Sequence, residues 1–583
     1  MTSIDDLFRK PNLPSSHASG KRKFEASDAQ QLYKSAKLTD DSDAKGKTNG
    51  SAYVEDDSED VEAGPDLPPE EEDDAADEEG RFFGGGVTRD TTNALDYLET
   101  ADGEEYVEEK IDAAWTRRLV TNFERKISKN AEQRARFEDQ PQKFMASEAE
   151  LDAEIKSISI LTEHSEFYTE FVKAEGASHL VSLLAHENTD IAINAIEIIS
   201  ELIDEDIEAD QDQWTALVEA MLDADLPNLL VQNFARFDEA ENESDRQGVY
   251  HSLAVLESLA SQGSVAERVG NDAVLEYLLK RIQAKEQPLG QNKQYAAEVL
   301  QVLLQSSDSS RVRFLKLGGV DTILHSLSAY RRRDPGKDSH EEEYAEDIFD
   351  ALTCVVDVPQ GKHAFVEGEG IELMLIMLRE GKFSKARALK VIDHATGGQG
   401  EEVAERLVEA AGLKTLFTVF MKKPDHAATE HLLGIFAAML RLLPGESPQR
   451  IRTLGKFVEK DYEKITKLMT LRREYVSRVT SVDAEIRAEQ QGLTADDKEE
   501  RQDEWFSRRL DAGLYCQQTL DVVLAWLVAE DSGSKQRIEQ ILAQRDETTS
   551  ILRTSLQSQL EGVENTEDEN AAEMLKALID CLR

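Results

Sequence analysis

The chain has few cysteines: its 583 residues contain three, Cys354, Cys516 and Cys581. They stand far apart in the sequence, so no two of them have the short spacing of a zinc-binding pair. Three is also an odd number for a disulfide framework, which is typical of small secreted proteins. The cysteine content therefore predicts a protein of a reducing compartment, without a metal site.

Long apolar runs are missing as well. The first ten residues, MTSIDDLFRK, contain no apolar stretch of the length found in signal peptides. Further along, no uncharged apolar run reaches the roughly 18 residues that a membrane-spanning helix needs. We therefore expect no association with a membrane.

Basic charge is scarce relative to acidic charge. The chain carries 67 Lys and Arg residues against 117 Asp and Glu residues, a formal net charge of -50. Such a charge repels the phosphates of nucleic acids and attracts basic partners. The composition predicts no direct binding of nucleic acid and favours partners that are proteins with basic segments.

Catalytic motifs are also missing. Residues 46–48 (GKT) resemble the end of a phosphate-binding loop, but Asp41 occupies the position of its first glycine. Residues 84–86 (GGG) follow no predicted strand and are typical of a flexible hinge. His186 is followed by Glu187 but not by a second histidine at helical spacing, as a zinc protease requires. We predict that the protein is not an enzyme and binds no cofactor or metal.

The composition changes near residue 105. Residues 1–103 are rich in Asp, Glu, Ser, Gly and Pro, and their few apolar residues show no period. Such a segment cannot bury enough apolar surface to offset the loss of chain entropy, so we predict a disordered acidic tail. Its basic residues predict a nuclear-import signal, with chance clustering in a charged linker as the alternative. These residues are Lys21, Arg22, Lys23, Lys34 and Lys37.

From residue 104 onward, apolar residues recur at helical spacing almost everywhere. The first clear example is the set Trp115, Leu119, Phe123 and Ile127. Ser147, with Glu150 three residues later, predicts a capping box at the start of the next helix. We expect the helices of residues 104–165 to cap the N-terminal end of the array that follows.

A turn of small residues followed by an apolar helix recurs six times. The turns are anchored by Gly176, Ala224, Gly270, Gly319, Gly370 and Gly412. Successive anchors are 42 to 51 residues apart, near the period of about 40–47 residues in armadillo and HEAT repeats. A second apolar helix follows each first one, and such a unit must stack on its neighbours to cover its apolar face. The sequence predicts an all-α, armadillo/HEAT-type superhelical solenoid with its repeats over residues 166–445.

The repeat fades beyond Pro444. Apolar and charged residues predict long charged helices from Arg450 to Glu489 and an apolar helix from Leu510 to Val528. A solenoid needs atypical helices at its open end. We therefore predict that residues 446–583 form a C-terminal helical cap.

Polar residues line one side of several repeat helices. On the helix over 191–203 they follow helical spacing, and similar rows appear on the helices near residues 295–304 and 343–357. The predicted partner-binding residues are Asp190, Asn194, Glu197, Glu201, Gln294, Glu298, Gln301, Asp347 and Asp350. If these helices line the inner side of the solenoid, the rows form an acidic groove for basic segments of partners. The alternative is an ordinary solvated helix face.

Several segments resemble the beta-catenin-like protein 1 family. They are residues 122–148 (NFERKISKNAEQRARFEDQPQKFMASE), 370–374 (GIELM), 377–380 (MLRE), 388–395 (ALKVIDHA) and 508–514 (RRLDAGL). The resemblance extends over about residues 112–545. It implies a nuclear scaffold of the pre-mRNA splicing machinery that associates with subunits of the nineteen complex. It also implies recognition of basic, nuclear-localisation-like segments of partner proteins.

The alternative function is a nuclear-import carrier or adapter of the importin-alpha kind, which is also an armadillo array. Such carriers bind basic peptides with a ladder of tryptophans, each followed four residues later by asparagine. The four tryptophans of this chain, Trp115, Trp214, Trp505 and Trp526, have no such asparagine. Self-association into a homo-oligomer stays open at the level of the sequence.

Overall fold

The structure is a computed structural model that describes residues 110–563 and 569–583. The tail of residues 1–103, with the import signal predicted at Lys21, Arg22, Lys23, Lys34 and Lys37, lies outside these described residues. From Thr116 to Arg583 the described residues belong to one compact unit. Within the described ranges the regular structure is helical, without a strand.

Two helices precede six units of three helices each. The first two are α1 (Ala113–Arg136) and α2 (Met145–Ser157). The first three units comprise α3 (Tyr168–Lys173), α4 (Gly176–Ser182), α5 (Thr189–Leu202), α6 (Gln211–Asp223), α7 (Leu226–Phe234), α8 (Glu243–Ser261), α9 (Gly263–Val269), α10 (Asp272–Gln283) and α11 (Gln291–Ser306). The last three comprise α12 (Asp308–Lys316), α13 (Gly319–Leu327), α14 (His340–Val355), α15 (Pro359–Glu367), α16 (Gly370–Glu380), α17 (Phe383–Thr396), α18 (Glu401–Glu409), α19 (Gly412–Met421) and α20 (His426–Leu442).

Seven further helices follow the six units. They are α21 (Pro448–Gln490), α22 (Ala495–Glu500), α23 (Gln502–Asp511), α24 (Leu514–Glu530), α25 (Ser532–Ala543), α26 (Ser550–Val563) and α27 (Glu569–Cys581). Five short 3-10 helices lie between the α-helices, at Pro141–Lys143, Ile158–Thr162, Ser165–Phe167, Leu183–Ala185 and Ser328–Arg331.

The third helices of the units form a continuous layer. These helices are α5, α8, α11, α14, α17 and α20, and from α8 onward each packs against the third helix of the unit before. Outside the units, α2 packs on α5 at one end of this layer, and α24 packs on α20 at the other. The predicted all-α solenoid of armadillo type is therefore confirmed, and its third helices occupy one layer.

The sequence of α5 explains why it has its place in this layer. Asn188 caps the helix, since its side chain accepts a hydrogen bond from the backbone N–H of Asp190 at 3.0 Å. The apolar side of this helix is buried throughout, and its members are Ile191, Ala195, Ile198, Ile199 and Leu202. Because the helix packs on both α2 and α8, Ile193 and Ile196 are buried as well. What remains accessible is the row of polar residues.

The recurring glycine has a steric reason that the repeat pattern alone did not give. Gly176, Gly319 and Gly370 each begin the second helix of a unit, and a Cβ atom on any of them would overlap the ring of a phenylalanine five residues before. The left-handed backbone of the turn belongs to the preceding residue, for example Glu175 with φ 64° and Gly318 with φ 71°. The glycine is therefore required by close packing rather than by its own backbone angles.

We predict that Gly319→Ala lowers the free energy of unfolding by about 1–3 kcal/mol, the usual cost of overpacking a core. The new methyl group would meet the ring of Phe314, which is fully buried and cannot move aside freely. Urea denaturation followed by circular dichroism measures the change. The control is Gly445→Ala, because a Cβ atom there has no neighbour within 4 Å. A loss of the same size in both variants would contradict this account of the glycine.

One local prediction made from the sequence was wrong. Ser147 does not cap α2, since the helix begins at Met145 and Ser147 lies inside its first turn. Its hydroxyl donates to the carbonyl of Phe144 at 2.7 Å and accepts from Asn130 at 3.1 Å. The charged helices predicted over Arg450 to Glu489 correspond to α21, which is divided at residues 459–462 by non-helical backbone angles.

The boundary between α23 and α24 lies at Gly513, whose φ of 97° ends one helix and starts the next. Within the described residues, no single helix has both the length and the apolarity to cross a membrane. One bent pair, Asp497–Asp511 with Leu514–Glu530, meets those two criteria only when its members are taken together.

Candidate acidic face on the third helices

The polar row on α5 is accessible as predicted. Asp190 in the first turn and Glu201 in the last are exposed, and Asn194 and Glu197 between them are half-buried. Asn194 donates a side-chain hydrogen bond to Asp152 on α2, and Ser244 on α8 donates to Asp190 at 3.5 Å. The row on α5 is thus linked to the helices on both of its sides.

Helix α8 was missed in the search for polar rows, although it lies between α5 and α11. The accessible side of α8 contains Glu257 and His251, separated by Ala254. Glu257 accepts a hydrogen bond from the Tyr295 hydroxyl of α11 at 2.5 Å. The alanine and the serines of this helix dilute its charge, so a search for regularly spaced carboxylates passes over it.

Glu197 influences Glu201 on the same helix and His251 across the contact between α5 and α8. Although Glu201 is exposed at the surface, loss of solvent around its carboxyl group raises its pKa, and the neighbouring charge of Glu197 raises it further. Burial lowers the pKa of His251, while Glu197 acts in the opposite direction. A raised carboxyl pKa beside a second carboxylate indicates a place where an added cation would be favourable.

A buried glutamine holds the carboxylates of α11 and α14 together. Gln294, with 1% of its surface exposed, donates from Nε2 to Glu298 at 3.2 Å and to Asp347 at 3.1 Å. Gln294 was predicted to contact a partner, and its burial gives it a positioning role instead. Gln301 is half-buried and donates to Gln305 at 2.8 Å on the same helix.

The row of carboxylates meets basic side chains at α17. Lys390 of α17 forms an ion pair with Asp350 at 2.7 Å, and Arg387 forms one with Glu346. Asp350 belongs to the predicted set, but its charge is compensated within the chain. The structure therefore brings the predicted residues onto one layer, and the carboxylates of α14 that lie nearest α17 pair with basic side chains of the same chain.

We call this surface the acidic face, and it comprises Asp190, Glu197, Glu201, Glu257, Glu298 and Asp347. Its four helices contain one arginine and one lysine. Arg246 pairs with Glu243 at 2.6 Å, and Lys293 is buried, donates to the carbonyl of Ala284 and lies 5.1 Å from the ring centre of Tyr344.

The chemistry available on the acidic face is electrostatic attraction. Each exposed ion pair contributes about 0.2–1 kcal/mol, so several contacts are needed for useful affinity. In the described ranges, one group of ligand atoms lies close enough together to hold a metal ion, and its residues His426, Glu430 and Cys516 belong to α20 and α24. The acidic face itself is suited to binding lysine and arginine side chains rather than to catalysis.

Comparison with known families places this geometry in context. A family model described as catenin-beta-like, Arm-motif containing nuclear, matches residues 92–557 of the sequence. The chain belongs to this catenin-beta-like family. As an armadillo-repeat member of the catenin-beta-like family, the protein is a non-enzymatic scaffold that binds other proteins.

The catenin-beta-like relatives cover most of the chain. The beta-catenin-like protein 1 homolog of Schizosaccharomyces pombe is 34% identical over 480 residues, which cover 81% of this chain and 84% of that protein. Beta-catenin-like protein 1 of Mus musculus and that of Homo sapiens are each 34% identical over 469 residues, covering 78% of this chain and 82% of each relative. The resemblance seen in the sequence is thereby confirmed.

Proposed function

We propose that this catenin-beta-like protein binds lysine- and arginine-rich, nuclear-localisation-like segments of partner proteins along the acidic face. The observation that carries the proposal is the layer of four adjacent helices on which carboxylates are accessible while Arg246 and Lys293 are already engaged. An extended basic chain that crosses these helices could meet one carboxylate after another. The net charge of -50 adds long-range attraction for such a chain and disfavours acidic competitors.

We further propose that the protein acts in the nucleus, as a scaffold of the pre-mRNA splicing machinery associated with subunits of the nineteen complex. Two observations support this part: the matching family is described as nuclear, and the segments that resemble the beta-catenin-like protein 1 family extend through the repeats. Many nuclear proteins carry lysine- and arginine-rich segments. The acidic face would therefore suit partners of that kind.

The test of the binding surface is a triple charge reversal, Glu197→Lys, Glu201→Lys and Glu298→Lys. We predict that its affinity for a fluorescent lysine- and arginine-rich peptide falls by about tenfold or more, since three attractive contacts of about 0.2–1 kcal/mol become repulsive. The dependence of affinity on salt should become shallower too, because screening then has less attraction to weaken. Fluorescence anisotropy at two salt concentrations measures both quantities.

The matched control reverses three exposed carboxylates elsewhere, by Glu124→Lys, Glu267→Lys and Glu276→Lys. It changes the net charge by the same amount but leaves the acidic face intact, so we expect a much smaller effect. Equal losses in both variants would mean that the peptide senses the global charge alone. Unchanged affinity and salt dependence in the first variant would remove the acidic face as the binding surface.

The nuclear part is tested by affinity capture from nuclear extract at low and high salt. Recovery of nineteen-complex subunits by the unmodified protein, with less recovery by the triple variant and at high salt, is the expected result. Recovery of import receptors in their place would favour the import-carrier alternative. Recovery of nineteen-complex subunits that is equal for both proteins would separate the splicing association from the acidic face.

A further inference from the structure

Three side chains with metal-binding atoms meet where the last repeat joins the C-terminal helices. His426 and Glu430 lie one turn apart in the first part of α20, and Cys516 lies in the first turn of α24. One ligand atom from each residue lies within 4.8 Å of the other two. The distance between His426 Nδ1 and Glu430 Oε2 is 3.8 Å. Because three helices, α21 to α23, separate the third ligand from the first two, the spacing along the chain hides this group.

The three side chains match the chemistry of zinc. Zn²⁺ binds cysteine sulfur, histidine nitrogen and carboxylate oxygen, with bonds of about 2.0–2.3 Å that place its ligands about 3–4 Å apart. The observed separations differ from this by roughly 1 Å at most, which side-chain rotation can supply. A thiolate and a carboxylate also bring two negative charges to a divalent ion, so the charges balance. Ca²⁺ and Mg²⁺ are hard cations that prefer oxygen ligands, so the cysteine sulfur disfavours them.

The group is accessible to solvent on the side of His426 and Glu430. Cys516 is fully buried, while the side chains of His426 and Glu430 are 39% and 25% exposed. A Cβ atom at Gly513 would overlap the Tyr475 ring and lie 3.4 Å from His426 Nε2, so a side chain at this position would crowd the histidine. The metal could therefore enter from the solvent side, and water could occupy its fourth position.

Tyr475 of α21 contacts two of the three side chains, His426 and Cys516. Its ring packs edge-on against the His426 imidazole, with ring centres 5.5 Å apart, and its hydroxyl hydrogen-bonds with Cys516. A phenol that donates to sulfur stabilises the thiolate form that a metal requires, in the manner of outer-sphere contacts in zinc proteins.

We propose that His426, Glu430 and Cys516 form a Zn²⁺ site that fastens α24 to α20, with water as the fourth ligand. When the ion binds, the Cys516 thiol releases its proton to solvent and the sulfur bonds to the metal. Because the ligands come from the last repeat and from a C-terminal helix, the bound ion stabilises the contact between them. This inference is independent of the acidic face.

The experiment uses Co²⁺ as a spectroscopic substitute for Zn²⁺ in the full chain. Cys354→Ser and Cys581→Ser first remove the other two cysteines, leaving Cys516 as the sole thiol. We expect Co²⁺ to produce a sulfur-to-cobalt charge-transfer band in this background, and Zn²⁺ to abolish the band by displacement. His426→Ala and Glu430→Gln should each weaken Co²⁺ binding by at least tenfold. Both residues are partly exposed, so the variants are expected to fold.

The matched control is His363→Ala. His363 and Glu367 have the same helical spacing on α15, 3.5 Å apart, but no cysteine accompanies them. This variant should bind Co²⁺ like the background, and Zn²⁺ should raise the melting temperature of both. Zn²⁺ should leave the melting temperature of His426→Ala unchanged. The proposal is overturned if the background shows no charge-transfer band, or if the band and its affinity survive in His426→Ala and Glu430→Gln.

Discussion

Arg472→Ala is expected to lower the free energy of unfolding by about 3–5 kcal/mol, the cost of leaving a buried charge without its partner. Arg472 Nε donates to Asp521 Oδ1 at 2.5 Å, and the two side chains are 9% and 0% exposed. The pair joins α21 to α24 deep inside the C-terminal helices. Urea denaturation at neutral pH measures the loss.

The pH dependence of this variant has a definite sign. Burial raises the pKa of Asp521 above its ordinary value, and Arg472 acts in the opposite direction. Without Arg472 the pKa rises further, so the folded state holds the proton more tightly than the unfolded state does. The loss of unfolding free energy caused by Arg472→Ala should therefore become smaller as pH falls from the raised pKa of Asp521 towards the ordinary value near 4. It should become larger as pH rises through the raised pKa.

Two comparison variants separate the buried charge from other effects. Arg508→Ala removes a half-exposed partner of Glu489, 2.8 Å away, and should cost at most about 1 kcal/mol. Replacing both members of the buried pair, Arg472→Met with Asp521→Leu, should recover most of the loss, because no charge then stays buried alone. A double variant as unstable as Arg472→Ala would show that packing, and not the unpaired carboxylate, causes the loss.

Phe436→Ala is expected to cost about 3–5 kcal/mol as well, through loss of a fully buried ring. Phe436 of α20 stacks on Phe417 with ring centres 4.6 Å apart, and it packs edge-on against Phe420 at 5.4 Å and Phe457 at 5.6 Å. These rings come from three helices, so the cavity would lie where α19, α20 and α21 meet. Chemical denaturation gives the magnitude, and amide hydrogen exchange gives the location.

The control for this ring is Phe506→Ala on α23. Its side chain is 47% exposed, so truncation leaves no closed cavity and the loss should stay below about 1 kcal/mol. In Phe436→Ala we expect faster exchange in α19, α20 and the start of α21. A loss below 1 kcal/mol in Phe436→Ala, or faster exchange confined to distant helices, would show that these four rings do not stabilise the junction of α19, α20 and α21.

The fold class could be predicted from the sequence because repetition and helical period are properties of the chain itself. The six turns, the apolar side of α5 and its accessible carboxylates all follow from spacing. The capping box predicted at Ser147 was wrong for a local reason. A serine with a glutamate three residues later can also lie inside a helix, and here the Ser147 hydroxyl hydrogen-bonds with Phe144 and Asn130. Spacing alone does not distinguish those two environments.

The candidate site was predictable only in part, because its limits depend on contacts between helices. Nothing in the spacing of α14 reveals that Lys390, 40 residues later, pairs with Asp350. Nor does it reveal that Gln294 is buried between Glu298 and Asp347. The accessible polar residues of α8 were not predicted, because small residues separate the charged ones along this helix. For Asp350 and Gln294 the deciding contacts, with Lys390 and with Asp347, join residues that are distant in sequence.

The packing of α24 on α20 continues the arrangement by which every third helix packs on its predecessor. The repeats and the helices after them therefore share one hydrophobic core, without a domain boundary near residue 445. A chain shortened at that point would expose the apolar side of α20 to water. Such fragments should self-associate or aggregate, and experiments on the repeats alone should keep the helices through α24 in place.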